Sequence, residues 1–110
     1  KTHLDRNGIT VHWWSSAEGL VVFDNCQQPP RVAERAHNKI CIFFGKKWAG
    51  VTYGEGGIGS PHGVSVSRGD SDEDRYALVS FVHCKLDEDD VTFIKKSEQD
   101  FDALEAKCKL

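Results

Sequence analysis

The chain has 110 residues, 39% hydrophobic and 28% charged, with a formal net charge of −3, a composition that fits one ordinary globular domain over residues 1–110 and not a disordered chain. No apolar run approaches the roughly 18 residues of a membrane helix, so no membrane insertion is expected. Residues 1–55 hold seven Lys/Arg against five Asp/Glu, and residues 56–110 hold seven against twelve; without a basic excess, general nucleic-acid binding is not expected either.

In GITVHWW the alternation predicts a strand with Ile9, Val11 and Trp13 on one face and Thr10, His12 and Trp14 on the other. LVVFDNC, residues 20–26, reads as a second strand, and SSAEG between them has the length of a hairpin loop. PPRVAERAHNK, residues 29–39, predicts a short helix with proline in the first turn, where its missing N–H is harmless. ICIFF, residues 40–44, is a continuous apolar run and predicts a buried strand; GKK would turn it into WAGVTY as its hairpin partner.

GEGGIGSPHG, residues 54–63, is a glycine-rich loop. Gly54, Gly56 and Gly59 match the G-x-G-x-x-G spacing of dinucleotide sites, but SPHG leads into another strand and not into the helix N-terminus that would hold a pyrophosphate. No cofactor is therefore expected. GVSVSRG predicts a half-exposed strand, DSDEDR an acidic turn, RYALVSFVHC the longest strand and VTFIKK another. The carboxylates of Asp70, Asp72 and Asp74 have the 1, 3, 5 spacing of a calcium loop, but Arg75 and Phe81 stand where its glycine and bidentate glutamate belong. A C-terminal helix is predicted from Ser97, with an S-x-x-D capping box to Asp100 and a buried face of Phe101, Leu104 and Cys108. These elements predict an α+β fold: a single antiparallel sheet of about five to seven strands with two short helices, one internal and one C-terminal.

The four cysteines, Cys26, Cys41, Cys84 and Cys108, are even in number and widely spaced. No C-x-x-C pair is present, which argues against structural zinc, so two disulfides in a secreted protein are expected, with the connectivity open. The absence of methionine from the chain fits removal of a leader during secretion. His3 would chelate Cu(II) or Ni(II) only if Lys1 is the mature amino terminus; otherwise no metal is expected.

Three functional readings follow. Trp14 with His12 on one strand face, and Trp48 beside Lys46 and Lys47, have the aromatic-plus-polar character of binding hot spots. Arg68-Gly69-Asp70 spells the tripeptide of integrin ligands at a strand end, an adhesion alternative. Tyr53, Glu55, Arg68 and His83 supply a carboxylate base, a histidine acid and a cation for RNA transesterification; in order, and in having a helix before an antiparallel sheet, they are similar to small guanyl-specific fungal ribonucleases, which would imply a ribonuclease-like enzyme. In size, cysteine use and sheet-plus-helix layout the chain resembles small cysteine-containing secreted fungal proteins, the effectors and killer toxins. That resemblance implies a secreted, non-enzymatic interaction protein that acts on a protein or cell-surface target of another organism, and it is the leading expectation.

Overall fold

The computed structural model describes residues 2–23, 31–32, 40–65 and 74–108, with no side-chain description at Arg31, Val32, Asp89 and Cys108. Among the described residues the fold is α+β with antiparallel sheets and two helices. Its elements are β1 (Ile9–Ser15), β2 (Leu20–Val22), β3 (Arg31–Val32), β4 (Cys41–Phe44), α1 (Lys47–Val51), β5 (His62–Val64), β6 (Ala77–Val82) and α2 (Glu88–Cys108).

The strands do not form the expected single sheet. Among the described residues they divide into two three-stranded sheets, ordered β4-β1-β6 and β3-β2-β5. The first hairpin is absent: β1 and β2 are joined by a short loop but enter different sheets. The reason is Gly19, whose backbone has φ 143° and redirects the chain so that Leu20 pairs with Val64. At Arg31–Val32, within the predicted internal helix, the chain is instead a strand against Val21 and Val22; the rest of that helix lies outside the described residues.

Two further elements change type. The predicted strand WAGVTY begins as helix α1, because Trp48 stacks on Phe44 with ring centroids 4.1 Å apart, a contact that fixes the turn directly after β4 against the β propensity of Val51 and Thr52. The C-terminal helix starts at Glu88, not at Ser97, and absorbs VTFIKK. Its actual capping box is Asp87 and Asp90: the Asp90 N–H donates to Asp87 Oδ1 at 3.0 Å and the Asp87 N–H to Asp90 Oδ2 at 2.9 Å. Ser97 is a buried mid-helix residue whose hydroxyl donates to the Ile58 carbonyl at 3.0 Å.

Helix α2 docks on α1 and the following loop through Gly50, which meets Asp90 and Ile94, and through Phe93, edge-on to Tyr53. The Lys46 ammonium and the Glu98 carboxylate close the same junction. Buried apolar residues among those described are few, namely Leu20, Phe43 and Ala49. Polar groups share the interior with them. Asn7 Nδ2 donates to the Ile9 carbonyl at 2.7 Å and to Thr10 Oγ1 at 2.9 Å, and the Thr10 hydroxyl donates to Asp5 Oδ2 at 2.5 Å. Each buried polar atom of this chain of bonds thereby has a partner, as burial requires.

The expectation of two disulfides is not met, because no disulfide involves the described cysteine side chains. Cys41 and Cys84 are free thiols; Cys26 and the Cys108 side chain lie outside the described residues. The topology explains why Cys41 and Cys84 do not bond each other. Cys41 is opposite His12, whereas the Cys84 thiol lies against Gly8, just before β1 and four residues from His12, roughly 13 Å along the chain. That separation exceeds the reach of a disulfide.

Candidate functional site

Pairing across β4-β1-β6 fixes which side chains share a face. Val11 is opposite Ile42 and Ser80, and Ile9 is opposite Phe44 and Val82. Regular alternation would carry Trp13 onto this face and Trp14 onto the other. The register shifts between His12 and Trp14, however: His12 faces Val79, and Trp14 faces Leu78. This is a β-bulge, two residues against one, and it re-aims a side chain. Leu78, Ser80 and Val82 alternate onto one face, so Trp14 joins Trp13 there. The Trp13 indole N–H donates to the Ser80 hydroxyl at 2.8 Å, which confirms the side. The two adjacent tryptophans therefore stand together, 48% and 52% exposed.

Ile42, Leu78 and Val82 on the same face are also exposed, and Tyr76, bonded through its N–H to the Ser16 hydroxyl, stands at its end. With roughly 100 Å² open per large side chain, the face presents on the order of 500 Å² of apolar surface, at the upper end of what monomers show and of a size that is often functional. None of these residues is charged.

The remaining predicted site residues are dispersed. His12 lies on the opposite face with buried Thr10 and Phe43. Its Nε2 is buried without a hydrogen-bond partner, and burial, then the Arg75 charge, hold its pKa below the ordinary value of 6.5. Its neighbour across the strands, Cys41, has its thiol pKa pushed up by burial. Lys46 is engaged with Glu98, Lys47 is half-buried, and Trp48 is held by Phe44 on one side and Gly56 on the other, where an added Cβ would fall 2.3 Å from Trp48 Nε1. Tyr53 and Glu55 are exposed in the turns after α1, on a shallow cleft of about 310 Å³ with Phe93, Lys96, Ser97 and Asp100. His83 is exposed just beyond β6 and does not line that cleft. Arg68, Gly69 and Asp70 lie outside the described residues, and Asp74 is exposed.

A second cluster went unnoticed in the sequence. His3 bridges to His62 through backbone hydrogen bonds of 2.8 and 3.0 Å, which places the two imidazoles side by side with centroids 4.5 Å apart. Asp5, two residues on from His3, brings Oδ1 to 3.3 Å from His3 Nε2 and 3.4 Å from His62 Nε2. His62 is buried and its Nδ1 is 2.9 Å from the Ser60 carbonyl. Burial alone would lower the His62 pKa, but the Asp5 carboxylate and the Ser60 carbonyl outweigh it and the pKa is raised. For Asp5, burial pushes upward, while His62, Thr10 and His3 together hold the carboxyl below its usual value. Of the three, only the local pair H-x-D was visible in sequence, because His62 is joined to it by strand pairing alone.

Together the described elements define a small α+β fold with an open apolar sheet face and a separate histidine–aspartate cluster. Comparison with protein-family models, with curated proteins and with solved structures finds no match to the chain. Among the described residues, no helix is long and apolar enough to cross a membrane.

Proposed function

We propose that this protein is a small, non-enzymatic interaction protein that binds a protein target through the open face of the β4-β1-β6 sheet, with Trp13 and Trp14 as its anchors. The observation that carries this reading is the bulge at His12–Trp14, which brings two tryptophans to the exposed side when regular alternation would have separated them. Tryptophan contributes disproportionately to binding energy at interfaces, and an uncharged centre with a polar margin is the usual interface layout. Action on the surface of another cell, after secretion, is the proposed setting. Chain size and cysteine number support that setting; Cys41 and Cys84, as free thiols, lend it no disulfide.

The test uses labelled protein and intact cells from a panel of candidate targets. Saturable binding is expected, displaced by unlabelled wild type and not by a Trp13→Gln/Trp14→Gln variant whose circular dichroism is unchanged. Equal displacement by that variant would refute the assignment of the face. If binding is absent and the wild type sediments as a dimer that the variant abolishes, the face is an interface between copies of this chain and the proposed target is wrong.

A further inference from the structure

We propose that His3, Asp5 and His62 form a binding site for one divalent transition ion of the zinc class, with a fourth coordination position open to solvent. The site is separate from the apolar face and does not depend on its function. All three ligand atoms lie within 4.8 Å of one another. In a tetrahedral site with metal–ligand bonds of about 2.0–2.1 Å, neighbouring ligand atoms are roughly 3.3–3.4 Å apart. The two contacts to Asp5 Oδ1, 3.3 and 3.4 Å, already have that length. They are longer than the roughly 2.7–2.9 Å of a tight charge-assisted hydrogen bond. Only the third edge, between the imidazoles, has to shorten, and the adjustment falls to His3, whose side chain is 55% exposed against 6% for His62.

The surroundings of the three groups are those of a metal site. A ligating imidazole usually donates its other ring N–H to a carbonyl or carboxylate, which fixes the tautomer. The Ser60 carbonyl occupies that position for His62 at 2.9 Å, so that an incoming ion would displace the proton from Nε2, the nitrogen beside Asp5. The second oxygen of Asp5 accepts from the fully buried Thr10 hydroxyl at 2.5 Å, which leaves Oδ1 as the ligating atom. Phe43 supports the other face of the His62 ring, with centroids 4.3 Å apart. The backbone bridge between His3 and His62 sets the register of both imidazoles before any ion arrives, and Asp5, two residues on from His3, brings Oδ1 to 3.3 Å from His3 Nε2. Two imidazole nitrogens and one carboxylate oxygen suit zinc, cobalt or iron, not calcium or magnesium. An ion there would also join the N-terminal segment to β5.

Cobalt(II) is the probe, titrated into the full chain carrying an acetylated amino terminus, so that chelation by the terminal amine, Lys1 to His3, is blocked. One Co(II) per chain is expected, with visible d–d bands of a low-coordinate N/O site, displaced by one equivalent of zinc. Both His3→Ala and Asp5→Asn are expected to weaken binding at least tenfold, whereas His83→Ala, at an exposed histidine elsewhere, leaves it unchanged. His3→Ala alters only a half-exposed side chain, so its fold is retained and its titration is decisive. Absence of saturable 1:1 binding, thiolate-to-cobalt charge-transfer bands indicating Cys41 or Cys84 as ligand, or unchanged affinity in His3→Ala would each overturn the proposal.

Discussion

Gly45 connects β4 to α1 beneath the N-terminal segment, and replacing it with alanine is expected to be among the most destabilising single-methyl additions in the chain. An alanine Cβ at Gly45 would fall 2.1 Å from the Asn7 carbonyl oxygen and 2.6 Å from Asn7 Oδ1, against the 3.4–4 Å of ordinary contact. Neither atom can yield alone. The Asn7 carbonyl accepts the Lys47 N–H at 3.2 Å, while Gly45 N–H donates to Gly8 O at 2.9 Å and Lys46 N–H to Asp5 O at 2.8 Å. Separating the backbones by more than 1 Å breaks these three bonds, each contributing about 1 kcal/mol, and adds overpacking strain of about 1–3 kcal/mol. A loss of about 4–6 kcal/mol is expected, a large part of the roughly 5–15 kcal/mol total of a domain. Urea unfolding followed by tryptophan fluorescence measures it. Gly57→Ala is the comparison: its Cβ meets nothing within 4 Å but its φ is 74°, so it should cost only about 1–2 kcal/mol through backbone strain. If Gly45→Ala costs no more than Gly57→Ala, the docking of the N-terminal segment is not as described.

The capping box at the start of α2 predicts that Asp87→Ala destabilises by about 1 kcal/mol in urea unfolding. Ser97→Ala should cost a similar amount, about 1 kcal/mol, because it leaves the Ile58 carbonyl without its donor; no loss in Asp87→Ala would return the helix start to Ser97. His12 is held neutral in the fold, so between its folded pKa and 6.5 the unfolded chain binds more protons than the native state, and this contribution to stability is lost as pH falls below 6.5. His12→Leu should therefore be more stable than wild type, by about 1 kcal/mol at pH 7.5 through removal of the unsatisfied Nε2, and its advantage should widen at pH 5.5. An advantage that shrinks on acidification would contradict the depressed pKa; taking the difference between the two proteins cancels the opposite titration of His62.

Much of the strand content was legible because alternation and apolar runs are local signals: residues 9–14, 20–22, 41–44 and 77–82 all lie within predicted strands. Pairing was not legible, since β1 joins β4 and β6, both distant in sequence, and the nearest-neighbour hairpin was the wrong default. The bulge is hidden for a related reason: it depends on the count of residues in β6 opposite β1, which neither strand carries alone. Helix α2 was legible and was misread. Val91, Thr92 and Ile94 look like strand residues, yet Asp90, Ile94, Ser97, Phe101 and Leu104 follow the helical period, and LDEDD contains the D-x-x-D that caps it. For the candidate sites, Trp14 was singled out with His12 by a strand alternation that the bulge breaks, and Trp48 with Lys46 and Lys47 by residue type at a turn, with no signal of the contacts to Phe44 and Glu98 that engage two of them. The His3–Asp5–His62 cluster needs a backbone bridge across 59 positions, and no local pattern announces it.

The central claim is that Trp13 and Trp14 share one open face. Oxidative footprinting of the native protein, read by peptide mass spectrometry residue by residue, tests it most directly. Trp13 and Trp14 are expected to be modified at comparable, fast rates, and Trp48, enclosed by Phe44 and Gly56, much more slowly. Protection of either Trp13 or Trp14 to the level of Trp48 would mean that the strand alternates without a bulge and sends one tryptophan inward, and the binding face would lose one of its two anchors.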